Sequence, residues 1–191
     1  MQVSFDGQPA PLIYAQSRQI NAVAPVELDG RTSTSIRVQY NSIAFGPVVV
    51  PVAFAAPELF RLHPGVSTQA AALNQDGTVN GSSNPAPRGS IVSLYATGFG
   101  LTTPGCLAGA LNPPSAANLR AAVSSWATPP GIPQVLYAGG APTLLCGVQQ
   151  INLRIPDQVP QPLNAVQVTL SIQLQNQFGA NTTQGTTIAV K

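Results

Sequence analysis

Proline and glycine interrupt this chain every few residues from end to end, with nineteen of the first and seventeen of the second in 191 residues. Few long helices survive that punctuation, because proline removes a backbone donor and glycine costs helix stability. Short strands joined by turns tolerate it well. Charge points the same way. Only 7% of residues are charged, far below the usual quarter. A solvated helix needs charged residues along its outer face, and here there are too few. Strands with Ser, Thr, Gln and Asn outside and the 44% apolar residues inside fit better. The expectation is an all-β fold.

A repeat refines it. Ala10 to Pro25 reads APLIYAQSRQINAVAP and Ala141 to Pro156 reads APTLLCGVQQINLRIP. Without a gap, six of sixteen positions agree: Ala10 with Ala141, Pro11 with Pro142, Gln19 with Gln150, Ile20 with Ile151, Asn21 with Asn152 and Pro25 with Pro156. A period-two alternation follows each copy, through Ile36, Val38 and Tyr40 in the first and Val166, Val168, Leu170, Ile172 and Leu174 in the second. That period marks a half-buried antiparallel strand. Each copy closes on a β-prone run, VVVPVAF (48–54) and TTIAV (186–190), with Pro51 suggesting an edge strand or a bulge. In both QIN motifs the isoleucines, Ile20 and Ile151, are expected to face a core. The amides of Gln19, Asn21, Gln150 and Asn152 are expected to bond nearby backbone at strand ends.

The second copy has a front half that the first lacks. GSIVSLYATGFG (89–100) reads as a strand ending in a glycine turn, and QVLY (134–137) as another. The sequence leaves no room before Gln19 for a counterpart of 89–100: either it begins inside that unit, the expected reading, or another segment supplies the strand. The fold expected is two Ig-like β-sandwich units in tandem, the first without its opening strands. Their limits are 1–55 and 89–191, joined by 56–88. That joining stretch contains a short strand at Leu59–Leu62, a hairpin turning on Asp76-Gly77, and a linker at 82–87. The segment 102–131 reads as a loop, with a helical turn or two at 118–125 and the only tryptophan, Trp126, at its end.

The blocks PAPLIYAQSRQINAVAP, QAAALNQDGTVNGSSNPAPRGSIVSLYATGFG and VLYAGGAPTLLCGVQQINLRIP resemble, in that order, a large family of C-terminal domains first noted in Solibacter-type acidobacteria. The turn at GFG and the strands after it are more distantly similar to IPT/TIG-type Ig-like folds. The resemblance implies an exported, surface-associated bacterial protein carrying this module at its C-terminal end, with the signal peptide upstream in the parent. It brings no catalytic residues.

Net charge is +2, without a basic run, which argues against a nucleic-acid partner. No apolar stretch nears the roughly 20 residues of a membrane helix, so no membrane insertion is expected. Cys106 and Cys146 form a candidate disulfide that would tie the long loop to a strand; two free buried thiols are the alternative. A lone His63 in RLHPG, with no GxSxG elbow, reads as a turn histidine and not as part of a triad. Glu27 and Asp29 in ELDGR read as hairpin-turn acids. NQDGTVN (74–80) has too few acids for a calcium loop and reads as a turn. Neither catalysis nor a cofactor nor a metal is expected. Two functions fit: a structural or adhesive extracellular module that assembles by accepting a strand into its incomplete first unit, or a carbohydrate-binding module using the 102–131 loop with Trp126 as the ligand contact.

Overall fold

The computed structural model describes residues 1–63, 67–128, 133–158, 165–174, 177–181 and 186–191; within these, the side chains of 126–128, 165–174 and 177–181 are not described. The protein is all-β, with no α-helix among the described residues. In the first half run β1 (Gln2–Phe5), β2 (Gln8–Ala10), β3 (Leu12–Gln16), β4 (Gln19–Ala22), β5 (Ser33–Tyr40) and β6 (Ile43–Pro51). In the second run β7 (Glu58–Leu59), β8 (Ala72–Asn74), β9 (Ile91–Thr97), β10 (Thr102–Thr103), β11 (Asn118–Leu119), β12 (Ala122–Thr128), β13 (Gln134–Gly140), β14 (Gln149–Arg154), β15 (Ala165–Leu174), β16 (Gln177–Asn181) and β17 (Thr187–Ala189).

The first half makes one four-stranded antiparallel sheet, in the order β2-β1-β5-β6, and a separate β3-β4 hairpin. Asp6 and Gly7, at φ 50° and 86°, close the β1-β2 turn, the left-handed pair that a two-residue hairpin requires. Asp6 then does more than turn. Its carboxylate accepts hydrogen bonds from the Ser35 amide at 2.8 Å, the Thr34 hydroxyl at 2.9 Å and Arg31 at 3.3 Å. The Ser35 bond first, then the Thr34 bond, hold its pKa below the usual carboxylate value. β6 is an edge strand ending on Pro51, and a bulge interrupts β5 between Ile36 and Val38. ELDGR does not make a hairpin. It forms a 3₁₀ turn over Val26–Leu28 and then a bend at Gly30, because it connects strands of different sheets.

The second half holds the core. One sheet runs β10-β11-β13-β14-β9-β7, with β8 also on β9; the other runs β12-β15-β16, with β17 also on β15. Strand β9 alternates strictly, and its inward residues Val92, Leu94 and Ala96 are fully buried, as are Ile151 and Leu153 of β14 and Ile188 of β17. Val123 of β12 packs on the same cluster. The two sheets thus face one another across an apolar layer, consistent with a β-sandwich.

The stretch 56–88 does not behave as a connector. Strands β7 and β8 both pair with β9, and Ala86, completely buried, bridges to Val190. The supposed linker is therefore stitched to the last strand. The Asp76-Gly77 hairpin places Asn80 inside, with no exposed surface. Its amide donates to Asn74 Oδ1 at 2.8 Å and to the Ala189 carbonyl at 2.9 Å, and accepts from the Ala189 amide at 2.9 Å. A side chain acts here as one more rung of a sheet. Segment 118–125 is likewise not helical: it forms β11 and the start of β12, where β-branched and small residues pair with the long strand β15.

Candidate functional site

The two halves share one hairpin. In the first, Leu12 pairs with Ala22, Tyr14 with Asn21, Ala15 with Ile20 and Gln16 with Gln19, with a bulge at Ile13. In the second, Val135 pairs with Leu153, Tyr137 with Asn152, Ala138 with Ile151 and Gly139 with Gln150, with a bulge at Leu136. LIYA therefore matches VLYA, bulge for bulge, and QIN matches QIN. The ungapped alignment is right for the second strand of each hairpin only. Ala10 and Pro11 have no structural equivalence to Ala141 and Pro142, because two residues join β3 to β4 whereas eight join β13 to β14.

The QIN side chains repeat their geometry too. Gln19 Nε2 donates to Asn21 Oδ1 at 2.8 Å, and Gln150 Nε2 donates to Asn152 Oδ1 at 2.8 Å. The amides bond each other along one strand face and not the neighbouring backbone. The isoleucines between them part ways. Ile151 is completely buried, whereas Ile20 is only half-buried.

Neighbouring strands explain the difference. Strand β14 lies between β13 and β9. Strand β4 pairs with β3 alone among the described residues. The backbone phase can be read from two hydrogen bonds. The Ile155 amide donates to the Ser90 carbonyl at 2.9 Å, so residues 151, 153 and 155 turn their backbone groups towards β9. The Val23 amide donates to the Pro11 carbonyl at 2.9 Å, so 19, 21 and 23 face β3 while Ile20 and Ala22 face outwards. With the QIN motifs superimposed, Ile20 falls on Ile151 and Ala22 on Leu153. The outward groups of β4 are those that hold β9 in the other repeat.

The rest of the first half is open as well. Ile43, Phe45, Val48 and Val49 of β6 are 59, 54, 60 and 68% exposed. Val48 and Val49 point to opposite faces, so neither face of that edge strand is covered. On the hairpin, Ile13 is 60% and Tyr14 41% exposed. Every member of the buried apolar cluster lies at Ala55 or beyond. Exposed apolar residues concentrated in this way are the surface signature of an interaction site.

A second feature lies where the halves meet. A mainly apolar pocket of about 450 Å³ is bounded by Val23, Val26, Phe54, Leu101, Leu145 and Gln149, among others. Cys106 and Cys146 stand on its wall, joined in a disulfide with Cα atoms 5.8 Å apart. The eight-residue β13-β14 connection carries Cys146, and Gly109 on the Cys106 side packs against Pro11. Arg120 pairs with Asp29 across the same boundary at 3.3 Å, both well exposed. The Gln149 side chain is nearly buried, donates to the Gly100 carbonyl at 3.4 Å and leaves Oε1 without a partner.

The other candidates are dispersed. Position 126 is not in a loop but in β12, opposite Thr169, and the Trp126 side chain lies outside the described residues. The segment 102–131 is broken by β10, β11 and β12, and its last three residues are outside the described set. Asp76 accepts from the Thr78 hydroxyl at 2.6 Å and amide at 3.0 Å. Those bonds, the hydroxyl first, lower its pKa; the carboxylate closes its own turn. Among the described residues no three His, Cys, Asp or Glu side chains converge, and no helix is long and apolar enough to cross a membrane. Tyr137, its hydroxyl donating to the Gly140 carbonyl at 2.7 Å, has its pKa raised by burial. The QIN hairpin was legible in the sequence as a repeat. The pocket was not, since its lining is drawn from segments separated by over a hundred residues.

Comparison of the chain with protein-family models, with curated proteins and with solved structures gives no match.

Proposed function

We propose that the chain is a non-catalytic, extracellular structural or adhesive module of a larger exported bacterial protein, built from tandem Ig-like repeats of which the first is completed by a strand from a neighbour. One observation carries this reading: the first repeat keeps the QIN hairpin of the second, but among the described residues β4 has no second neighbour and the apolar residues of β6 stand exposed. A native protein rarely leaves so long an apolar edge unprotected unless something pairs with it. The disulfide supports an oxidising compartment. The low charge, the polar uncharged outer faces and the resemblance to the acidobacterial C-terminal domains agree with a surface location. A sugar-binding reading draws less support, because the junction pocket is lined mainly by aliphatic side chains.

Light scattering after size exclusion, across a hundredfold range of concentration, tests the assembly reading. The expected result is a mass that grows with concentration. A single monomer mass throughout contradicts it.

A further inference from the structure

We infer that the outer edge of β4 is an acceptor, and that its occupant is a strand antiparallel to β4 and, like β9, apolar at alternate positions. The inference deepens the assembly reading and rests on it. The template is internal. In the second repeat the place beside the QIN strand is filled by β9, which runs antiparallel to β14 with Leu94 opposite Ile151 and Val92 opposite Leu153. Its inward residues Val92, Leu94 and Ala96 are fully buried, and its outward Ser93, Tyr95 and Thr97 are only partly so. Carried onto the first repeat, the same register sets an incoming apolar residue opposite Ile20 and another opposite Ala22.

The physical case has three parts. The Ile20 and Ala22 amides and carbonyls point away from β3, so a new strand costs no existing bond. Ile20 is half-buried where its counterpart is wholly buried, so added apolar contact has somewhere to go. The outward row Gln19–Asn21 is already closed by its own hydrogen bond, leaving the inner row to set specificity. This is strand addition, in which main-chain bonds give affinity and alternate side chains give register.

The probe is a capped synthetic peptide with the β9 sequence, residues 89–98 (GSIVSLYATG), titrated calorimetrically into the whole chain. Binding is expected, and a peptide with serine in place of Val92, Leu94 and Ala96 is expected to bind at least tenfold more weakly. Peptide backbones modified one amide at a time locate the edge without altering the protein. N-methylation at Leu94, whose amide faces the acceptor in the template, is expected to abolish binding; N-methylation at Tyr95, facing away, is expected to preserve it. Ala22→Pro in the chain removes one outward donor and none that β3 uses, and is expected to weaken binding tenfold or more. No binding of the native peptide overturns the inference, as does equal tolerance of both N-methyl positions. A chain that self-associates yet takes no peptide keeps the assembly reading and loses this edge. A chain that takes the peptide in the predicted phase yet stays monomeric keeps the edge and loses self-assembly.

Discussion

Replacing Asn80 with alanine is expected to be among the most damaging single changes in the chain. The side chain has no exposed surface. Its Nδ2 donates to Asn74 Oδ1 at 2.8 Å and to the Ala189 carbonyl at 2.9 Å; its Oδ1 accepts from the Ala189 amide at 2.9 Å and from Gln69 Nε2 at 3.0 Å. Truncation strands the Ala189 amide and the Asn74 oxygen, both in buried residues, while the Ala189 carbonyl keeps its bond from the Ala86 amide at 2.9 Å. A buried group left without its partner costs about 1–3 kcal/mol. Two such groups, partly rescued by a water entering the space, give about 2–4 kcal/mol. Asn84→Ala is the control: Asn84 Nδ2 donates to the Thr78 hydroxyl at 2.7 Å and the Val79 carbonyl at 3.1 Å, both near solvent, so a loss below about 1 kcal/mol is expected. Urea unfolding followed by far-ultraviolet circular dichroism measures both, the midpoint moving while the slope stays constant. If Asn80→Ala costs less than about 1 kcal/mol, or no more than Asn84→Ala, the amide is not acting as a sheet rung.

The repeat makes a paired prediction: Ile151→Ala costs about 2–4 kcal/mol from a sealed core, whereas Ile20→Ala, half-buried beside an open edge, costs less than half as much in the same urea titration. Reducing the Cys106–Cys146 bridge, which closes 40 residues, removes about 4 kcal/mol on the chain-entropy account, measured as the midpoint shift of a Cys106→Ser/Cys146→Ser double variant against the oxidised chain. Asp6 has a depressed folded pKa, so its contribution is complete above the unfolded value of about 3.9 and fades as pH falls through the lower folded value. An NMR titration of its carboxyl should give a midpoint below 3.8, and Asp6→Asn should flatten the acid side of the melting profile; a midpoint at or above 3.8 contradicts the Ser35 and Thr34 bonds as its cause. Gly98→Ala should destabilise strongly by thermal melting, since its φ is +77° and an added Cβ meets the Ala56 carbonyl.

What the sequence disclosed and what it hid follow from the range of the forces involved. The period-two runs at Ile36–Tyr40 and Val166–Leu174 became strands because alternation is set locally by the pleat. The first unit does not begin bare, since β1 and β2 precede its hairpin, but β4 has no second neighbour among the described residues. The helical reading of 118–125 failed because its Ala-rich composition says nothing of the long partner β15 that captures it. The repeat was found by identity at QIN but misaligned before it. Pairing and the shared bulge, not identity, place LIYA on VLYA, and an eight-residue connection hides that match from an ungapped comparison. The linker reading of 82–87 failed for a similar reason. SSNPAP has a turn-like composition, yet Ala86 is small enough to be buried against the final strand. The Asn80 rung and the junction pocket depend on residues brought together from opposite ends of the chain, which no local pattern reports.

Strands β4 and β14 are the same strand in two repeats, one with no second neighbour among the described residues and one flanked on both sides. Residue-resolved amide hydrogen exchange, at a concentration where the chain is monomeric, tests that equivalence. Rapid exchange is expected at Ile20 and Ala22 and strong protection at Ile151 and Leu153, whose amides face β9. Comparable protection at both pairs of positions contradicts it.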